Sequence, residues 1–313
     1  VQNSIVKRRS LLQSIAVLPA LQAAPPYRAW LGPDYWANPL QDWRSNANRW
    51  ECHAAGGDRN VFWLSKEIAP TPTSFEMSVR LGTLAPLPAN AKGWTGFRTG
   101  MRGAFDDYRD TAIRGLGVDS GITADGQLFI GSPNLNNPRV NSLEDLTLTL
   151  TAQGNRYTLK AGNQTVEATI PNEWLSGGVA LVCHSGDTPT RMPRRTEPMA
   201  ANTGKPNQAR GGDMCMWFSD WKLTGPFVVN KPERAWGPIL FTQYTVHAGV
   251  LKMTVQLAPL EGDESPATLE LGNTKQLRGQ LDTYSSTASF RVENLKCSAP
   301  DVVDSALGVN YCH

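Results

Sequence analysis

The stretch from Gly93 to Gly131 constrains the fold more than any other part of the chain. Glycines recur in it every few residues, and between them stand Trp94, Phe97, Met101, Phe105, Tyr108, Ile113, Leu116, Val118, Ile122, Leu128 and Phe129. Glycine at that density within apolar sequence disfavours helix and suits strands with bulges, tight turns and close backbone approach. Asp125-Gly126, set between Gly121-Ile122-Thr123 and Gln127-Leu128-Phe129-Ile130, is a hairpin signal. The stretch also carries Arg98, Arg102, Asp106, Asp107, Arg109, Asp110 and Arg114, the densest mixed charge in the sequence. It reads as the central pleated surface of an all-β domain whose polar face could hold a ligand.

The flanking sequence agrees. Phe75, Met77, Val79 and Leu81 alternate with polar residues, as do Leu146, Leu148 and Leu150, the two-residue period of a half-buried strand. Residues 155–159 and 164–170 form a hairpin closed at Gly162-Asn163, and Gly178–Cys183 is apolar on both faces, as a central strand should be. Ser185–Asp213 is a basic loop with Arg191, Arg194, Arg195, Lys205 and Arg210. Residues 214–223 restore strand character and complete a first domain over 27–225. After a linker at Gly225-Pro226 and Asn230-Lys231-Pro232, five strands follow over 239–246, 250–257, 267–271, 276–281 and 288–292. They indicate a small immunoglobulin- or fibronectin-like sandwich over 226–295, incomplete because such a unit normally has six or seven strands. Residues 296–313 show no pattern.

At the N-terminus, Arg8-Arg9-Ser10-Leu11-Leu12 heads a short apolar run to Ala23-Ala24, the form of a twin-arginine export signal over 1–26. The run is too short to span a membrane, so no stable membrane insertion is expected, and the protein should be periplasmic, cell-surface or secreted. A formal charge of +2 gives no reason to invoke nucleic acid. Five cysteines, odd in number and without a CxxC pair, argue against a disulfide framework or zinc knuckle. Cys183 and Cys215 lie in apolar strand-like runs and read as buried free thiols.

Catalytic patterns are sparse. Two-metal phosphoester hydrolysis needs several His, Asp and Asn ligands around cations about 3.5–4 Å apart. Only His53, His184, His247 and His313 exist, with no Asp-x-His or Gly-Asn-His. No Gly-x-Ser-x-Gly elbow is present. Asp106 and Asp110 would share a face of an extended segment, as a glycosidase dyad requires, but Arg102 and Arg109 stand close enough to neutralise them. Ion pairing is the plainer reading. The ten tryptophans are either core filling or sugar-stacking platforms, with core filling favoured.

The motifs Tyr35-Trp36-Ala37-Asn38-Pro39-Leu40-Gln41-Asp42-Trp43-Arg44, Gly57-Asp58-Arg59-Asn60-Val61, Gly96-Phe97-Arg98-Thr99-Gly100 and Asp107-Tyr108-Arg109 resemble the N-terminal region of exported PhoD-like alkaline phosphatases. So do Ala124–Gly131, Trp217-Phe218-Ser219-Asp220-Trp221, the junction Pro232–Ile239, Gln243-Tyr244-Thr245 and Gly249–Lys252. The resemblance covers about Arg28 to Leu295. It implies a concanavalin-like jelly roll, then a small sandwich, then a two-metal catalytic domain. Full-length relatives use divalent or trivalent metal ions, but every ligand lies past the point where the likeness stops. The expectation is therefore a truncated or frameshifted chain with no catalytic residue, no metal site and no hydrolytic activity. Its jelly roll would hold a phosphorylated or glycan ligand on a face carrying Arg98, Arg102, Tyr108 and Arg109. The alternative is a free-standing lectin-like module or a degenerate glycoside hydrolase.

Overall fold

The computed structural model describes residues 30–46, 48–70, 74–105, 107–189, 211–260, 267–271 and 275–294. The segment 1–26 expected to be an export signal, with Arg8 and Arg9, lies outside the described residues, as do Asp106, residues 191–210 and the tail 296–313. The chain is all-β, a jelly-roll-type sandwich followed by a small second β unit, and it divides into residues 26–235 and residues from 236 onward.

The first unit faces two seven-stranded antiparallel sheets across one core. Sheet one runs β1 (Tyr35–Asn38), β4 (Arg59–Ile68), β12 (Gly177–Ser185), β6 (Gly93–Arg102), β7 (Leu116–Thr123), β8 (Leu128–Ile130), with β14 (Val228–Asn230) pairing β4 beyond β1. Sheet two runs β11 (Gln164–Thr169), β10 (Arg156–Ala161), β9 (Leu146–Gln153), β5 (Ser74–Thr83), β13 (Met216–Thr224), β3 (Arg49–Cys52), β2 (Trp43–Asn46).

Alternation sets which side each residue takes. Phe75, Met77, Val79 and Leu81 of β5 are buried while Glu76 and Arg80 are exposed, and Leu148, Leu150 and Ala152 of β9 follow the same rule. Residues Val179–Cys183 of β12 are fully buried between β4 and β6, the central strand that the apolar run predicts. Removing each large core side chain from water contributes about 1.5–3 kcal/mol. Six of the ten tryptophans (Trp43, Trp63, Trp94, Trp174, Trp217, Trp221) are buried, which favours the core-filling reading for them.

Three sequence expectations are corrected. The segment after β6 is not extended: α1 (Tyr108–Arg114) is a helix, capped at its start by Asp107, whose side chain accepts from Arg109 N. Asp107 followed by residues of fair helix propensity is a short N-cap signal, which the glycine density around it obscures. The first unit also ends later than residue 225. Val228–Asn230 hydrogen-bonds to β4, and Arg234 reaches back 2.6 Å to Glu67, so the unit closes at Ala235.

In the second unit, β15 (Ile239–His247), β16 (Val250–Leu257), β20 (Thr287–Val292) and β19 (Gln280–Asp282) form one sheet, and β17 (Thr268–Leu271) pairs β18 (Lys275–Arg278) separately. The strand expected over 276–281 is thus divided. Gly279 is the break: a Cβ there would meet the Phe290 ring at 2.7 Å and Ala288 at 2.9 Å, and its N–H bonds to Ala267 O. The small core gathers Leu251, Val255, Leu257, Leu269, Ala288, Phe290 and Val292, while Phe241 and Tyr244 of edge strand β15 stay half exposed.

Candidate functional site

Register decides which side chains leave the core of sheet one. Opposite Phe97, Leu181 and Val61 on the inner side stand Arg98, Ala180, Val182, Asn60 and Asp119 on the outer side. Trp94 and His184 pair directly across β6 and β12, and Gly96 pairs with Gly121 across β6 and β7. A Cβ on Gly121 would lie 2.1 Å from Thr95 O, so the strands meet there as only glycine allows.

A continuous hydrogen-bonded line crosses this outer side. Trp36 Nε1 donates to Asn38 Oδ1 at 2.9 Å, and Asn38 Nδ2 donates to Asn60 Oδ1 at 3.0 Å. Asn60 Nδ2 donates to Asp58 O at 3.0 Å. Arg98 Nη1 then donates to Asp58 Oδ1 at 2.8 Å, while Nε and Nη2 clasp Asp119 at 2.6 and 3.2 Å. His184 Nδ1 accepts from Asp58 N at 3.0 Å, and its ring stacks on Trp94 at 6.1 Å. Asn38 Nδ2 also donates to Ala112 O, tying α1 to this side of the sheet.

The turn bearing Asp58 is fixed from below. Arg59 is buried, donates to Asp42 Oδ2 at 3.0 Å and to Gly57 O at 2.9 Å, and its guanidinium fills the space beneath Gly56. Asp58 itself sits at φ +57°, a left-handed position that Asp and Asn tolerate better than most residues.

The electrostatics follow from burial and pairing. Arg98 and Asp119 are 11% and 14% exposed, whereas Asp58 is 56% exposed. Burial opposes ionisation of Asp58, but the Arg98 charge and hydrogen bond outweigh it and lower its pKa. Burial, helped by the charge of Asp58, raises Asp119 against the pull of Arg98. Desolvation opposes the Arg98 cation, yet its two carboxylates hold it protonated. Burial lowers His184, and a ring whose Nδ1 accepts a hydrogen bond is the neutral form. The cluster therefore carries no net positive charge at neutral pH, whichever state Asp119 adopts.

Of the four residues expected to form a ligand face, Arg98 is central and the others are engaged elsewhere. Arg102 donates to Ser176 O at 3.2 Å and to its hydroxyl. Arg109 pairs with Asp107 on α1, and the Tyr108 ring lies 5.0 Å from the Arg234 guanidinium. Asp110 pairs with Arg114 and accepts from Ala104 N, which is the ion-pair reading of that acidic group. Sequence reasoning missed Asp58, Asp119, Asn60 and His184 because they come from four separate strands and turns. The signals were weak: Asp119 is the one charged residue of β7, and Asp58 and Asn60 stand in the Gly57–Val61 motif with no role read for them.

Among the described residues, no three His, Cys, Asp or Glu side chains are grouped to hold a metal ion. Among the described residues the donor set does not fit the two-metal chemistry that the resemblance implies. No described helix is long and apolar enough to cross a membrane.

No protein-family model and no curated protein matches the chain. Among solved structures it is similar to the carbohydrate-binding module CBM66 from Bacillus subtilis, at 9% identity and TM-score 0.37, over 64% of this chain and 100% of that one. An alginate lyase, A1-II', is similar at 9% identity and TM-score 0.35, over 59% and 83%. The exoplasmic/lumenal domain of VIP36, bound to Ca2+ and Man3GlcNAc, is similar at 9% identity and TM-score 0.31, over 62% and 85%. None of these likenesses speaks to what this chain binds.

Proposed function

We propose that the first sandwich is a glycan-binding module that takes a neutral polyhydroxyl ligand on the outer side of sheet one. One observation carries the reading: the Arg98 charge is already compensated by two carboxylates, and the most exposed charged group of the cluster is an acceptor, Asp58. A phosphoryl group would meet Asp58 without an uncompensated cation to stabilise it. Sugar hydroxyls, by contrast, donate to carboxylates, and charge-assisted bonds of that kind are the strong ones. The glycan half of the expected partner class is thus favoured over the phosphorylated half.

The test is a glycan array and titration calorimetry with the full chain, run against neutral polysaccharides and polyphosphate. Asp58→Asn keeps the shape, the left-handed tolerance and an acceptor for Arg98, but removes the charge. Neutral-glycan binding is expected to weaken about tenfold in this variant, the equivalent of one lost charge-assisted hydrogen bond. Preference for polyphosphate, or unchanged affinity in Asp58→Asn, would refute the reading.

A second reading is favoured by the order of the two β units, which is the order that the PhoD-like resemblance implies. On it, this binding module serves as the non-catalytic part of an exported phosphoesterase. Translation of the DNA downstream of Leu295 in all frames tests it: Asp-x-His and Gly-Asn-His motifs are expected, and their absence from every frame overturns the idea.

A further inference from the structure

Three cysteines far apart in sequence meet where the β3–β4 connection passes from sheet two to sheet one. Cys52 ends β3 and Cys183 lies in β12; both face the core and neither is exposed. Cys215 immediately precedes β13 and is half-buried. Each sulfur rests on a carbonyl of this small region. Cys183 Sγ is 2.6 Å from Met214 O, Cys215 Sγ is 3.6 Å from His53 O, and Cys52 Sγ is 3.8 Å from Ala54 O.

Facing sheets normally stand about 10 Å apart, too far for a covalent bridge between most opposed residues. Here the backbone draws them together. Ser185 N donates to Gly56 O at 2.9 Å, Gly211 N to Ala55 O at 2.9 Å, and Met214 N to Ser185 Oγ at 3.0 Å. Cys52 is thereby brought near enough to Cys183 across the core to act, with burial, on its thiol. A soft-metal site is not the reading, since no metal-holding group exists among the described residues.

We propose that Cys52 and Cys183 are a disulfide-forming pair, one thiol from each sheet, with Cys215 as the accessible thiol beside them. The oxidant is a low-molecular-weight disulfide. One cysteine thiolate attacks it to give a mixed disulfide and release one small thiol. The second cysteine then displaces the other small thiol. Two protein S–H bonds are lost, one protein S–S bond is made, and the oxidant's S–S bond is reduced to two S–H bonds. Burial raises the Cys183 and Cys215 thiols above their ordinary range, so the folded protein offers little thiolate. The bridge closes mainly while the chain folds. It would close a loop of about 130 residues, a length at which a cross-link removes much unfolded-state entropy.

The test uses the full chain with Cys297→Ser and Cys312→Ser, leaving three thiols, refolded with reduced and oxidised glutathione, then denatured, alkylated and mapped by mass spectrometry. The expected product has Cys215 alone alkylated and a Cys52–Cys183 linked peptide. Its Tm should exceed that of the reduced protein by about 10 °C. Oxidised glutathione added to the folded, reduced protein should give the same product at least about tenfold more slowly. Wild-type chain treated identically must also yield the Cys52–Cys183 peptide, which guards against a folding defect in the variant. Three alkylated cysteines after oxidative refolding, or a linked peptide containing Cys215, would overturn the pairing.

Discussion

Arg98→Ala should lower the stability of the first sandwich by about 3–5 kcal/mol, the range for removing one partner of a buried ion pair. Arg98 is the one cation between Asp58 and Asp119, and Asp119 is 14% exposed with both oxygens committed to it. Without the guanidinium, Asp119 must either remain charged in a poor environment or take up a proton, and each alternative costs stability. The apparent Tm should fall by about 10 °C. Most of that loss should return in Arg98→Leu/Asp119→Leu, where no buried charge is left alone and the exposed Asp58 turns to water. Thermal and urea melts of the two variants decide the matter. If Arg98→Ala melts like wild type, the cluster is a solvated surface pair and the site assigned to it loses its anchor. The double variant separates stability from recognition: it should fold well, yet bind neutral glycans poorly because the Asp58 carboxylate loses the guanidinium that fixes it.

The fold was legible wherever one side of a strand is wet. β5 and β9 alternate in sequence because one side faces core and the other water, and β12 betrays its central place by its apolar run from Gly178 to Cys183. Period-two reasoning failed at α1. Seven helical residues are too few to show a 3.6-residue period, and Phe105 and Ile113, which look like core, are 68% and 57% exposed. The division at Gly279 was hidden for a different reason. A strand that leaves one sheet and enters another keeps its local extended geometry, and only the Phe290 ring packed against that glycine discloses the change.

The site was half legible. Arg98 could be singled out as one of several charges in the glycine-rich stretch, but its partners depend on register. Asp119 reaches it only because β7 pairs with β6 as Arg98↔Asp119. Asp58 reaches it only because the buried Arg59 pulls the preceding turn down against Asp42. The arginines at 102 and 109 looked equally available in sequence, and local partners, Ser176 and Asp107, take them out of play. The cysteines make the same point. Wide spacing argued against pairing, yet topology brings 52, 183 and 215 to one corner.

The second large effect is expected at Glu51, and it depends on pH. Glu51 is 1% exposed and accepts from Arg44 at 2.9 Å, Arg49 at 2.6 Å and Asn46 at 2.9 Å, with His53 Nε2 at 2.6 Å. Burial alone would raise its pKa, but the hydrogen bonds from His53, Asn46, Arg44 and Arg49 prevail and lower it to about 2 from 4.5. The folded state therefore holds the proton less tightly than the unfolded chain. This contribution is complete above pH ~4.5 and is lost as pH falls through about 2. The arginines are 38% and 42% exposed and water screens them, so a discounted value of about 2 kcal/mol is appropriate. Glu51→Gln should be destabilised by about that amount at pH 7 and by progressively less toward pH 2.5. Urea melts of wild type and variant at pH 7, 4.5 and 2.5 provide the check, because other carboxylates titrate alike in both. A difference that stays constant across that range would mean that Glu51 acts through shape, and that its ring of cations contributes nothing to holding β2 and β3 together.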